Sequence, residues 1–437
     1  MFCVPVISVP SVVMEFLSSF STYLHRPELS HLARYLTGLL TLVNKTAWGI
    51  SSLIFGSPHP SNLSRFFSRG KWNSEDINAI RLEKEKQRLS GANPKFGTLI
   101  IDDFLVEKSG KKIYLTGRHY DHSSGRYIWG HQYVSSLLVH RRGTVAVDLK
   151  PYVRREDCER YQWKFKSKNE LFRESVRGAR RAELPFDCVV FDSWYLNRDN
   201  CDYVERSGLN WVSHLKRNTK IRWRGKKFKV SRWYKFYGGE FKEKEIETKP
   251  YKDEVRRHRV IEVVVYVYFL GRKGKLLVER GERGEERYYL TNHLEWDARQ
   301  VLTRYRYRWV VETYHRDLKQ HLGLGECEMR TKEAVLHHVS AVLMGATLLE
   351  RMVSESGLVE WAERQRSTGM GRKQRHLLAF VVRDFILWIL RYVGTEESKA
   401  EEVFKALHEH LRLEELERVM RKTGQKGGED NDFKERG

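Results

Sequence analysis

Tyr305-Arg-Tyr-Arg-Trp-Val-Val-Glu-Thr-Tyr-His-Arg-Asp-Leu-Lys319 is the stretch on which the reading of this chain turns. Asp297, followed three residues later by Gln300, marks a helix N-terminus with a capping-box pair, and Gly323 and Gly325 mark its end. With Tyr305 set at zero on a regular helix, Arg308 falls at about 300°, Glu312 at about 340° and Lys319 at about 320°. All four then share one face, flanked by the apolar side chains of Val311, Tyr314, Leu318 and Leu322. One acid among a tyrosine, an arginine and a lysine suits a metal-binding carboxylate whose neighbours grip a phosphate backbone. The plain alternative is a solvated face, since Arg308 and Glu312 are also an ordinary i,i+4 pair.

Composition narrows the choice. The chain has 437 residues, enough for two or three domains, and 41% of them are hydrophobic, which indicates a folded protein. Its 79 Lys and Arg against 57 Asp and Glu leave a formal charge of +22. Such an excess favours a polyanionic partner, because each neutralised phosphate releases counter-ions. Cys3, Cys158, Cys188, Cys201 and Cys327 are scattered without a CxxC pair, which argues against a zinc or disulfide framework and fits a reducing cytoplasm. The N-terminus lacks a basic leader and Glu15 interrupts its apolar run, so no signal peptide is expected. Arg383 and Asp384 interrupt the apolar segment Leu377–Val393, which is read as a buried helix rather than a membrane span.

Residues 1 to about 90 read as helical. Leu32, Tyr35, Leu36, Leu39, Leu40 and Val43 recur at helical spacing, and a short helix from Thr46 to Phe55 follows a break at Asn44-Lys45. Gly56-Ser-Pro-His-Pro60 is a turn, after which Ser61 caps a helix carrying Arg65 and Arg69. Helix, tight turn and basic helix suggest a helix-turn-helix DNA reader, although many helical bundles contain the same pair. Glu83–Arg88 and Gly91–Pro94 read as a linker. Beyond it, Thr98-Leu-Ile-Ile-Asp-Asp103 is a strand ending in two acids, and Gly130–Val139 with Thr144–Asp148 form an antiparallel pair. A helix over Asn169–Ala182 precedes a second strand ending in an acid, Cys188–Asp192. Another helix closes near Gly208, and Asn210–Leu215 is a further strand. From Lys216 to about Tyr289 the pattern is β-rich and strongly basic. Trp223 and Trp233 sit there among cations, where they either stack on an unpaired base or pack the subdomain.

Three acids stand out by position: Asp102 or Asp103 on one strand, Asp192 on a second, and Glu312 on a helix. Carboxylates converging at one sheet edge bind hard divalent cations, Mg²⁺ or Mn²⁺, and two such ions can drive in-line phosphoryl displacement. A lone strand-end aspartate is more often a turn residue, so the combination carries the reading. His119 and His122, like His408 and His410, are read as surface residues rather than ligands.

The pattern Tyr305-x2-Arg308-x3-Glu312-x6-Lys319 resembles the Y-R-E-K signature of insertion-sequence transposases with a DDE ribonuclease H-like core. Ile101–Gly110 resembles that family's first-acid strand, and Phe191-Asp-Ser-Trp-Tyr195 its second. Phe104 stands where the family has threonine, which leaves Asp102 and Asp103 as rivals for the first acid. The resemblance implies a mixed α/β fold: a helical DNA-binding domain over 1–92, a ribonuclease H-like core over 93–215 and 291–395, a β-rich insertion over 216–290, and a charged helix and tail over 396–437. It implies cut-and-paste DNA transposition, in which two metal ions on Asp102, Asp192 and Glu312 support hydrolysis at transposon ends and transfer of the 3′-hydroxyl to target DNA. Tyr305, Arg308 and Lys319 would hold phosphates of double-stranded DNA. The resemblance further implies a homodimer in a paired-end complex and a prokaryotic, nucleoid-associated location. A catalytically inert derivative that keeps only the DNA-binding surface is the alternative.

Overall fold

The computed structural model describes residues 6–121, 124–248, 255–281, 284–355, 370–394 and 398–399. The chain divides into two compact units: Met1–Ile80 with Gly110–Tyr114 and Asp317–Gly437, and Arg81–Ser109 with Leu115–Arg316. The charged helix and tail expected beyond residue 396 lie, apart from 398–399, outside the described residues, as do Cys3, His122, His408 and His410.

The first unit is helical. Its helices include α1 (Ser11–Ser18), α2 (Arg26–Thr41), α3 (Ala47–Leu53) and α4 (Pro60–Arg69). In α2 the repeat Leu32, Tyr35, Leu36, Leu39 and Leu40 is buried. Val43 is exposed, because Leu42 at the C-cap turns extended and takes the chain off the helix. Thr46 caps α3 by accepting from the Gly49 N–H. The cap of α4 is the His59 ring rather than Ser61: Pro60 takes the first helical position, where a missing N–H costs nothing. The stretch read as a linker is instead the end of a helix, α5 (Ser74–Arg88). Its later turns belong to the second unit, where Arg81 is buried and donates to the Val147 carbonyl at 2.9 Å. Good helix formers throughout 83–88 outweighed the polar composition that suggested a linker.

The second unit is built on one continuous sheet. Its first strands are β1 (Thr98–Glu107), β2 (Gly117–Asp121), β3 (Arg126–His140) and β4 (Gly143–Tyr152). Helices α6 (Arg155–Cys158) and α7 (Lys168–Arg181) lead to β5 (Cys188–Phe191), and α8 (Arg198–Arg206) leads to β6 (Asn210–His214). The order β4-β3-β1-β5-β6 has antiparallel pairs on one side of β1 and parallel pairs on the other. That is the mixed sheet expected of a ribonuclease H-like core, with crossover helices supplying the parallel connections.

The basic segment extends this sheet instead of standing apart from it. It comprises β7 (Lys220–Trp223), β8 (Lys226–Lys229), α9 (Val230–Tyr237), β9 (Lys244–Thr248), β10 (Arg256–Val267), β11 (Arg272–Arg280) and β12 (Glu286–Thr291). Strand β12 pairs antiparallel with β6, which joins insertion and core into twelve strands. Phe172, Phe191, Tyr195 and Trp211 pack with Trp233 and Leu290 in a single apolar cluster. The outermost hairpin, β7–β8, exposes Lys220, Arg222, Arg224, Lys226, Lys227 and Lys229. Charges along an edge discourage strand pairing with other chains and leave a cationic surface.

The helix foreseen from Asp297 to Lys319 is two: α10 (Ala298–Arg306) and α11 (Arg308–Gln320), with Tyr307 turning between them. Asp297 and Gln300 do form the capping box that starts α10. The two halves are anchored to different strands. Arg304 ties α10 to Asp187 at 2.9 Å, at the start of β5, while Arg308 ties α11 to Asp102 on β1. The first unit also holds, among the described residues, α12 (Lys332–Glu355) and α13 (Met370–Val393). Among the described residues no helix is long and apolar enough to cross a membrane.

Candidate active site

Register brings two of the acids together. Strands β1 and β5 run parallel, with Ile100 beside Val190 as their last paired residues, and Asp192, just past the end of β5, lies within electrostatic reach of Asp102. Both strands are apolar through their buried parts, and the acids follow where that burial ends. Unlike the sequence reading, β1 continues past its acids to Glu107, so Asp102 and Asp103 are mid-strand and point to opposite faces.

Asp102 faces α11. Its carboxylate accepts from Arg308 Nη1 at 3.0 Å, and Arg308 Nη2 donates to Glu312 at 2.6 Å. One guanidinium thus bridges the strand acid and the helix acid. Two residues along β1 on the same face, the Phe104 ring stacks on His315 at 3.9 Å. His315 Nε2 also lies 2.6 Å from the Ser135 hydroxyl, which donates to the Asp102 carbonyl. Phe104, the departure from the family pattern, therefore helps to seat the Glu312 helix on the acid strand.

Asp103 faces α7. It accepts from Gln132 and Lys168, each at 2.7 Å, and from the Tyr195 hydroxyl at 2.9 Å. These three bonds tie Asp103 to β3, to α7 and to the loop after β5. Asp192 closes that loop by accepting from the Trp194 N–H at 2.9 Å.

Burial pushes the Asp102 carboxyl up to about 7; Arg308 opposes this, while Asp192 and Asp103 add to it. Burial likewise raises Tyr305 to about 12, against the pull of Arg308. For Arg308 burial acts downward, yet Tyr305, Asp102, Glu312 and Asp192 together hold its pKa above the usual value. His214 is kept below its ordinary value by burial and by Arg308. The pocket carries more negative charge than one guanidinium balances, and its donors are hard carboxylate oxygens, so the residue set suits Mg²⁺ or Mn²⁺. Among the described residues, however, no three acid, histidine or cysteine side chains are already gathered around a cation-sized point.

A stability limb follows. The folded-state pKa of Asp102 lies above the unfolded value of about 3.9, so the folded protein holds an extra proton between them. Stability from this group is complete below about pH 4 and is lost as pH rises through about 7. In EDTA, melting temperatures of wild type minus Asp102→Asn are expected to fall between pH 5 and pH 8. A flat difference curve would refute the raised pKa.

Of the other sequence candidates, Tyr305 stays at the cluster: it sits on α10, not on the Glu312 helix, yet its side chain is hydrogen-bonded to Arg308, and its ring packs edge-on against Tyr289 at 4.8 Å. Its neighbour Arg306 enters a buried cluster of His258, Glu279 and Tyr289 in the insertion. Burial alone would raise the Glu279 carboxyl, but bonds from His258 and Tyr289 bring it down to about 2. Lys319 is exposed on the last turn of α11, and Arg65 is exposed on α4. Trp233 is 0% exposed and packs with Trp223 and Phe241, so its role is to fill the insertion's core and no base can stack on it here. His119, read as a surface residue, is buried; burial and then Arg154 and Lys168 lower it to about 4.

Several residues around the acids were not singled out by the sequence. Lys168 and Ser135 become relevant only through contacts across the sheet, and Tyr195, quoted only as part of the second-acid motif, through its bond to Asp103. Trp194 and Trp309 had a weak signal, each lying within three residues of an acid, and they are 49% and 71% exposed.

Comparison with known families places the chain as a whole. A family described as DDE superfamily endonuclease matches residues 15–255, more than half of the chain, and one described as Transposase DDE domain matches 166–348. The chain belongs to the DDE transposase and endonuclease superfamily. Membership makes it a DNA transposase that depends on divalent metal and acts on DNA. Among solved structures, it is similar to the piggyBac transposase in a synaptic complex with hairpin DNA, at 9% identity over 91% of this chain and 82% of that one, with a TM-score of 0.45. It also matches the NurA nuclease from Sulfolobus solfataricus at 9% identity, over 65% of this chain and 94% of that one, with a TM-score of 0.24. No curated protein matches the chain.

Proposed function

We propose that this DDE transposase carries out cut-and-paste transposition with Asp102, Asp192 and Glu312 as its three catalytic carboxylates. The observation that supports the assignment is the bridge from Asp102 to Glu312 through Arg308, with Asp192 within electrostatic reach of Asp102. Asp103 is then a positioning residue. Bound there, two Mg²⁺ or Mn²⁺ ions would activate the attacking oxygen and stabilise the leaving one. The chain's own part is to hold the three carboxylates on rigid elements and to keep the scissile phosphate in line. First water and then the freed 3′-hydroxyl would be the nucleophile.

Arg308 and Tyr305 would meet the phosphate nearest the cut, and Lys319 a neighbouring one. The β7–β8 hairpin adds a cationic face, with Arg222 over Tyr266 at 4.1 Å and Lys227 over Tyr268 at 4.7 Å. For base stacking, exposed Trp194 and Trp309 are better placed than Trp233; Trp223 stays a partly buried candidate. Arg65 on the N-terminal helices would contact the terminal inverted repeats. Two copies would pair two transposon ends in the nucleoid of a prokaryotic cell. Nothing favours the inert derivative.

The test is a labelled duplex carrying the element's terminal repeat, incubated with the protein and Mn²⁺. Strand cleavage at the repeat boundary is expected, and binding without cleavage would overturn the assignment. Lys319→Ala should weaken end binding uniformly and reduce the salt slope by about one charge. An unchanged slope would exclude a phosphate contact at that position.

A further inference from the structure

Arg308 occupies the ground that a metal would need. Its two terminal nitrogens hold one oxygen of Asp102 and one of Glu312, on two of the three proposed ligands. Asp192 and Tyr305 lie within its electrostatic reach. A guanidinium donating to these oxygens and a cation coordinating them compete for the same lone pairs. The arginine is not locked in, for its side chain keeps 28% of its surface exposed. The planar fork that fits a carboxylate fits a phosphate equally well, and DNA presents phosphates all along its backbone.

We propose that Arg308 is the resident counter-ion of the acid cluster, and that DNA must draw it onto a backbone phosphate before Asp102 and Glu312 are free to take a divalent cation. This rests on the reading of those acids as metal ligands. DNA and metal then bind cooperatively through one side chain, and coupling of binding free energies is reciprocal. The arrangement also keeps the metal-loaded state scarce until DNA is seated, which restrains cleavage away from a bound end.

The test measures Mn²⁺ binding to the full chain by the electron paramagnetic resonance of free Mn²⁺, with and without the terminal-repeat duplex. Without DNA, Arg308→Gln is expected to bind Mn²⁺ about tenfold more tightly than wild type, a typical coupling factor. Wild type should gain a similar factor on adding the duplex, and Arg308→Gln less. Arg308→Lys, which keeps the charge but loses the fork, should fall between them and serves as the comparison if the glutamine variant does not fold. Arg308→Gln binding Mn²⁺ no better than wild type would overturn the inference while leaving the metal site standing. A double variant Asp192→Asn with Glu312→Gln that binds Mn²⁺ as wild type does would instead remove the site itself, and with it the functional assignment.

Discussion

Glu312→Gln, Asp192→Asn and Asp102→Asn are each expected to lower strand cleavage by about a thousandfold while leaving binding of the end duplex nearly unchanged. The size follows from the role. A metal ion in phosphoryl transfer stabilises developing charge by several kcal/mol, and losing on the order of 4 kcal/mol corresponds to about three decades in rate. Binding survives because it depends on the many Lys and Arg contacts to phosphates rather than on the acids. Amide replacements keep the shape of each side chain, so a folding defect is not the expected cause. The measurement is a single-turnover cleavage assay beside an equilibrium binding assay on the same duplex. A Glu312→Gln protein that cuts at the wild-type rate would remove Glu312 from the metal site. Loss of binding in parallel with cleavage would point to a structural role instead.

The second large effect separates the two neighbouring aspartates. Asp103→Ala is expected to lower stability by about 3 kcal/mol, because it removes the acceptor that Tyr195, Lys168 and Gln132 share. The Tyr195 hydroxyl, on a fully buried ring, loses its acceptor, and the Lys168 ammonium loses its ion pair. In a unit of this size that corresponds to roughly 6–12 °C in melting temperature. Asp102→Asn should behave in the opposite way: cleavage is lost, and metal-free stability at pH 8 is unchanged or improved, because a carboxylate crowded by Asp192 and Asp103 becomes neutral. Thermal melts and cleavage assays on both variants form a two-by-two comparison. If Asp103→Asn abolished cleavage without changing the melt while Asp102→Asn still cut, the first acid would be Asp103.

The same pair shows how far residue patterns reach. Asp102 and Asp103 are chemically identical neighbours, and the spacing that made one of them important is silent about which. Strand alternation sends them to opposite faces, but only the helices on those faces, α11 and α7, give each face its meaning. Phe104 is a similar case. In the sequence it is a departure that blurs the register; in the fold it stacks on His315 and pins the helix that carries Glu312. The helical wheel was right for Arg308, Glu312 and the buried Val311, Tyr314 and Leu318, yet it placed Tyr305 on the same helix across a turn it had no means to see. A break of one residue at Tyr307 leaves no compositional trace, since nothing there resembles Gly or Pro.

Local chemistry settled what is local: apolar runs that become strands, the Asp297–Gln300 cap, the cationic excess, and three acids waiting at informative positions. Those features act over a few residues, or over the whole composition, and need no partner to be read. Long-range pairing settled the rest. The parallel pairing of β1 and β5 brings Asp192 within electrostatic reach of Asp102, β12 fuses the insertion to the core sheet, and the docking of α11 lets one arginine join the strand acid to the helix acid. Each is a contact between segments roughly 80 to 200 residues apart, whose energy depends on three-dimensional packing that no short window of sequence encodes.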